Sequence, residues 1–257
     1  MSLIKTEKEI NLMRASGKRL AQVMMELEKN VLPGKNTLSL DNLAEKLILS
    51  LGGKPAFKNY GDPVNPFPAT ICASLNEEIV HGIPSKEKML REGDLLKIDI
   101  GMIYKGYYSD MARTFPVGKI SSEAQKIMEV VRKSFFLGIK SLKEGAWLSD
   151  YSKAVQKYVE QKGFSVVRNL TGHGIGKELH EEPSVYNFYD QKNYRDMPLK
   201  KGMTLALEPM INQGTFETIL GEDGWVFVTA DRKLSAHWEN TILITEKGVE
   251  ILTETKK

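Results

Sequence analysis

The sequence predicts an α+β fold, an antiparallel sheet with helices on one face. Three observations carry this. Long segments place apolar residues at helical spacing and end at Gly or Pro. Many short apolar runs separate them, too brief for helices. The helix–turn–helix order of the first half returns in the second at an offset of about 110 residues.

The elements follow in order. Residues 4–31 read as an amphipathic helix, with Ile10, Met13, Ala21, Met24 and Leu27 on one face, stopped by Pro33-Gly34. A second helix spans 39–51 and stops at Gly52-Gly53. The Pro-rich stretch 55–68 reads as a loop. Residues 70–75, 95–104 and 109–117 read as strands, and in 95–104 polar residues interrupt an apolar run at alternate positions. Helices over 122–142 and 148–161 flank Glu144-Gly145, and Gly163 ends the second. Residues 164–169, 204–211, 225–229 and 240–245 read as strands. One domain over 1–257 results, with pseudo-repeats of about 4–117 and 122–245 related by a pseudo-twofold axis. A site belongs where such halves meet.

The 257 residues suffice for a sizeable core, and 41% hydrophobic and 27% charged residues are ordinary for a globular chain. A net charge of +3 argues against a dedicated nucleic-acid surface. The single cysteine, Cys72, excludes an internal disulfide and suits a reducing compartment. The charged first ten residues lack the apolar run of a signal peptide, and no stretch is long and apolar enough for a membrane span. A cytoplasmic monomer is the expectation.

The candidate chemistry lies in four histidines and four carboxylates. His81 opens His-Gly-Ile-Pro, His173 sits between Gly172 and Gly174, and His180 follows in His-Glu-Glu-Pro. Each histidine alone is more often structural than a ligand. Asp99 interrupts the run 95–104. Taken alone it reads as an outward-facing residue on the polar side of a strand. Asp110 comes eleven residues later, a spacing that suits a hairpin with both aspartates on neighbouring strands. Glu208 ends an apolar run before Pro209, and Glu239 lies between His237-Trp238 and another apolar run. Two Asp, two Glu and a glycine-flanked His suit a pair of divalent ions held by bridging carboxylates. Four unrelated buried salt bridges are the weaker alternative.

The motifs Asn76-x4-His81-Gly-Ile-Pro84, Ile98-Asp99-Ile100-Gly101, Ser109-Asp110, Gly172-His173-Gly174-Ile175-Gly176, His180-Glu181-Glu182-Pro183, Leu207-Glu208-Pro209 and Ser235-Ala236-x2-Glu239-x-Thr241 run in order along nearly the whole chain. Together they resemble type I methionine aminopeptidases, M24 metallopeptidases of the pita-bread fold. The resemblance implies two pseudo-symmetric halves and removal of N-terminal methionine from nascent proteins and peptides, with small second residues preferred. It implies two divalent ions (Mn, Fe, Co or Zn). Asp99 would chelate one, Asp110 and Glu239 bridge both, and His173 and Glu208 complete the other. It makes Glu208 the proton shuttle, His180 the oxyanion partner and His81 a hydrogen-bonding residue near the scissile amide. A monovalent cation, Na or K, is implied against Asn76 and Ser235. Cys72, Phe67 and Trp225 match positions lining the methionine pocket, and each fits a core position equally well. Leu179 departs from the family, which often has an aromatic residue there. Ala206 departs where the family often has Thr. His237 matches no family ligand and reads as structural.

The implied partners are peptides and nascent chains beginning with methionine, with transient ribosome proximity, and neither nucleic acid nor membrane. Two other readings compete. Xaa-Pro aminopeptidases and dipeptidases share the five ligands but usually carry a large extra N-terminal domain, which the early position of Asp99 leaves no room for. A non-catalytic pita-bread binding protein should lack a ligand and be strongly basic, and this chain is neither.

Overall fold

The computed structural model describes residues 2–192 and 196–254. The first half runs α1 (Glu7–Glu28), α2 (Thr37–Ser50), β1 (Lys54–Pro55), β2 (Ile71–Leu75), β3 (Glu78–Val80), β4 (Leu95–Tyr104) and β5 (Tyr107–Pro116). The second runs α3 (Ser122–Ile139), α4 (Leu148–Gln161), β6 (Ser165–Val166), β7 (Gly172–Gly174), β8 (Glu181–Val185), β9 (Thr204–Leu207), β10 (Met210–Asn212), β11 (Thr218–Leu220), β12 (Phe227–Thr229), β13 (Ser235–His237), β14 (Asn240–Ile244) and β15 (Val249–Ile251).

Local chemistry sets the helix ends. Thr6 and Glu9 form a reciprocal capping box, so α1 begins at Glu7 and not at residue 4. Asn36 caps α2 through Ser39 N–H, which starts that helix at Thr37, before the expected residue 39. Ser121 caps α3 in the same way. The apolar stripe Ile10, Met13, Ala21, Met24 and Leu27 is buried, as its spacing predicts. Burying each large side chain of this kind contributes about 1.5–3 kcal/mol.

All pairings among the described strands are antiparallel. β1, β2 and β5 pair with β4, and a five-stranded sheet runs β15-β14-β9-β7-β8. Two three-stranded sheets, β13-β10-β6 and β11-β12-β3, lie with them. Helices α1 and α2 bury a core against β2, β4 and β5 (Leu20, Met24, Ile71, Ile98, Met111). Helices α3 and α4 bury another against β9 and β14 (Val131, Phe135, Tyr151, Leu205, Ile242). A third cluster, with Phe57, Phe67, Cys72, Leu179 and Ala206, draws on both halves.

Two expected strands differ. The run 204–211 is not continuous: Glu208-Pro209 breaks it, and its ends enter different sheets, Ala206 pairing with Thr241 and Ile211 with Ala236. Proline brings no N–H to a ladder, so the strand ends there. The run 164–169 pairs only over Ser165–Val166.

Candidate metal centre

The β4–β5 hairpin presents both aspartates to one face. In its register Asp99 faces Ala112 and Asp110 faces Gly101, so the two carboxylates share a parity on neighbouring strands. Asp99 is only 9% exposed. It lines a cavity of about 100 Å³ together with Asp110, His173, His180, Glu208 and Glu239. The outward-facing reading of Asp99 taken alone is therefore incorrect, because the second face of β4 is covered as well.

The other candidate ligands come from the second half. His173 lies on β7 opposite Ala206 of β9. Glu208 is the first residue past β9, where Pro209 ends the strand. Its carbonyl accepts from Asn187 Nδ2 (3.0 Å), and Asn187 Oδ1 accepts from Tyr151 (3.1 Å). Glu239 joins β13 to β14, and its N–H donates to Ala112 O at 2.9 Å. Thr241 Oγ1 accepts from Asp110 N–H at 2.8 Å and donates to Asp110 O at 2.9 Å. Arg113 donates to the Glu239 carbonyl and, at 2.7 Å, to Asn240 Oδ1. One backbone bond and four that use the Thr241 or Arg113 side chain thus tie the hairpin of one half to the candidate-ligand strand of the other.

Ligand atoms of Asp110, His173 and Glu239 all lie within 4.8 Å of one another. Glu208 Oε1 is 3.6 Å from His173 Nε2. His173 Nδ1 bonds the Gly174 carbonyl at 2.8 Å. That bond puts the proton on Nδ1 and leaves the Nε2 lone pair facing the carboxylates. Asp99 Oδ1, Asp110 Oδ1 and Glu239 Oε1 are buried without a hydrogen-bond partner among the described residues. Buried anionic oxygens left unbonded are costly. Burial first, and mutual repulsion second, raises the pKa of Asp110, Glu208 and Glu239. Burial raises that of Asp99 too. Divalent cations relieve both costs, so the donor set fits them.

A pH dependence follows. Carboxyls whose folded pKa is raised bind more protons folded than unfolded. The metal-free protein therefore loses stability as pH rises through and above the ordinary carboxylate range. We expect a divalent ion to raise the melting temperature more at pH 8 than at pH 5.5, measured by calorimetry with and without chelator. An equal or smaller rise at pH 8 would count against clustered, charge-strained carboxylates.

The three remaining histidine sites differ. His180 is exposed and sits edge-on to His173, with ring centroids 4.3 Å apart. Tyr60 Oη is 2.6 Å from His180 Nδ1. With the phenol donating, the His180 proton sits on Nε2, which becomes the free donor. His81 holds a left-handed backbone (φ 60°) and packs against Trp225 and Phe227. Burial lowers the pKa of His81 to about 4 and of His173 to about 3, so both are neutral near pH 7. His237 is 1% exposed, and both ring nitrogens lack a hydrogen-bond partner among the described residues. Its Nε2 is 3.6 Å from Glu208 Oε2, and its ligand atom, those of Glu208 and Glu239 lie within 4.8 Å of one another. The sequence reads this residue as structural. The structure sets its ring beside two of the candidate ligands, outside the cavity lining.

Cys72, Phe67 and Trp225 all line the same cavity, with Phe57, Tyr60 and Leu179. Phe67 and Trp225 meet edge to face at 5.2 Å. An outer groove of about 710 Å³ shares His81, His173, His180 and Glu208 with it and extends over Asn169, Thr171 and Ser184. Asn76 and Ser235 lie apart from the cavity lining, and their carbonyls accept from one residue that sequence reasoning passed over, Lys97 (2.7 and 3.3 Å). Tyr60 was missed as well. Its place in a Pro-rich loop carries no periodic signal, whereas Lys97 shares the alternate spacing of Asp99 in β4.

Comparison with known proteins agrees with this geometry. The model of metallopeptidase family M24 matches residues 11–246. The chain is 46% identical over 253 residues to methionine aminopeptidase of Clostridium acetobutylicum, covering 98% of this chain and 99% of that one. It is 45% identical over 253 residues to methionine aminopeptidase 1 of Bacillus subtilis, covering 98% and 99%. The crystal structure of methionine aminopeptidase from Thermotoga maritima superposes with TM-score 0.93 at 42% identity, covering 98% of each chain. A prolidase from Pyrococcus furiosus superposes with TM-score 0.78 at 24% identity and covers 99% of this chain but only 66% of its own, a likeness of fold alone.

Proposed function

The chain belongs to metallopeptidase family M24, and from that premise we propose that it is a metalloaminopeptidase that removes the N-terminal methionine of its substrates. The full-length similarity to methionine aminopeptidases, compared with partial coverage of a longer prolidase, favours methionine over Xaa-Pro substrates. The observation that carries the site is the buried meeting of Asp99, Asp110, His173, Glu208 and Glu239 around one cavity.

Asp99, His173 and Glu208, with Asp110 and Glu239 between them, would hold two divalent ions. Four carboxylates balance the charge of two such ions, and the mixed oxygen and imidazole set accepts Mn, Fe, Co or Zn. When bound, the ions acidify a water and polarise the scissile carbonyl. The chain does the rest. Glu208 takes a proton from the attacking water and returns it to the leaving amine. His180 donates from Nε2 to the carbonyl oxygen as it gains charge. His81 hydrogen-bonds beside the scissile amide. The methionine side chain fills the small cavity among Phe67, Cys72, Trp225, Phe57 and Leu179. These surfaces are apolar and suit a thioether. Leu179 leaves one wall less covered than an aromatic residue would. Residues after the first lie in the outer groove. Small second residues are preferred.

The two halves, about 4–117 and 122–245, are structural repeats, supported by the recurrence of paired helices on antiparallel strands. The chain acts as a monomer on peptides and nascent chains, in transient proximity to the ribosome in the cytoplasm. No helix among the described residues is long and apolar enough to cross a membrane.

Two tests follow. Metal-loaded protein should release methionine from Met-Ala-Ser and leave Leu-Ala-Ser and Ala-Pro-Ser intact by mass spectrometry. Cleavage only before proline would move it to the Xaa-Pro branch. His180→Ala should lower kcat by about 10²–10³-fold. Tyr60→Phe, which removes one hydrogen bond to His180, should lower it roughly 3- to 10-fold. A Tyr60→Phe rate equal to the parent would deny Tyr60 a role in orienting His180.

A further inference from the structure

Lys97 is 1% exposed and lies on the same face of β4 as Asp99. Its Nζ donates to the Asn76 carbonyl at 2.7 Å and the Ser235 carbonyl at 3.3 Å. No carboxylate forms an ion pair with it among the described residues. Two nearby acids are engaged elsewhere: Glu78 pairs with Lys88 at 2.8 Å, and Asp94 accepts from Asn76 Nδ2 at 2.9 Å. A buried amine held only by carbonyl oxygens is coordinated as a small cation would be.

The two carbonyls belong to different halves. Asn76 sits between β2 and β3 in a left-handed conformation (φ 46°), and its carbonyl also accepts Ser235 N–H at 3.0 Å. Ser235 opens β13, four residues before Glu239. Lys97 itself precedes Asp99 by two. The amine therefore fixes a junction from which two metal-ligand segments leave. It lines neither the cavity nor the outer groove, so it does not touch substrate.

We propose that the Lys97 amino group is the chain's own cation at the Asn76–Ser235 junction, filling the place of the sodium or potassium ion that the resemblance implies there. A free ion at those carbonyls would meet Nζ already bonded to both. The junction needs no added monovalent ion. The inference stands apart from the peptidase reading, because its test reads melting and ion binding.

The melting temperature of the Mn-loaded full chain is measured at equal ionic strength in choline, sodium and potassium chloride. The parent should melt within about 1 °C in all three, and thallium-205 NMR should show no bound monovalent ion. Lys97→Ala opens the two carbonyls. It should melt several degrees lower in choline and recover part of the loss, saturably, in sodium or potassium. Lys97→Met fills the space without a donor and should melt low in every salt. A saturable rise of the parent in sodium or potassium, or bound thallium in the parent, would overturn the proposal. So would a Lys97→Ala protein that ignores the cation. If Lys97→Ala does not fold, the parent measurements alone decide.

Discussion

Replacing Asp110 by Ala should lower kcat/KM for Met-Ala-Ser by on the order of 10³-fold or more, about 4 kcal/mol of lost transition-state stabilisation. The reason is positional. Asp110 comes within ligand distance of both His173 and Glu239, and its Oδ1 is buried with no partner among the described residues. It is one of the two carboxylates proposed to be shared, so its loss weakens the hold on both ions. The fold should persist. The Asp110 backbone is pinned to Thr241 through bonds the substitution keeps, and β5 pairs along its whole length with β4. Without metal, the variant should melt no lower than the parent, because one of four mutually repelling carboxylates has gone. Metal content by plasma mass spectrometry should fall below that of the parent. Near-normal metal-dependent turnover in this variant would defeat the assignment.

Glu208→Gln should act differently. The amide keeps the size of the side chain, and the main chain at Glu208 stays held by Asn187, which Tyr151 holds in turn. One oxygen can still meet a cation, so some metal should be retained. What is lost is a group that accepts and returns a proton. We expect kcat to fall about 10²–10⁴-fold with KM changed far less. Retained metal with lost kcat separates this outcome from that of Asp110→Ala, where both are lost. A rate near that of the parent would remove the proton-shuttle role from Glu208 while leaving its place as a ligand open.

The parts of this site that the sequence made legible share a physical cause. Asp99 stands out because a carboxylate in an apolar run is expensive, and Asp110 because its spacing from Asp99 fits a hairpin that the structure forms residue for residue. Glu208 stands out for the same reason, yet the break it makes with Pro209 was read as one continuous strand. Apolar periodicity sees neighbours in sequence and is blind to which sheet each end joins. The three-residue strands β3, β7, β11, β13 and β15 are too short for any period, so they were missed as strands although His173 on β7 was found by its glycines. Tyr60 acquires meaning only through its contact with His180, 120 residues away. His237 looked like a filler, and only packing shows its ring beside Glu208 and Glu239.

The most direct measurement is methionine release from Met-Ala-Ser by chelator-stripped protein before and after resupply of Mn, Fe, Co or Zn, with Asp110→Ala alongside. The account predicts no release from the stripped protein, restoration by at least one of these ions, and at most about a thousandth of the restored rate in the variant at any metal concentration. Release that survives stripping, or that Asp110→Ala recovers in full with metal, would contradict a divalent-metal centre at these carboxylates.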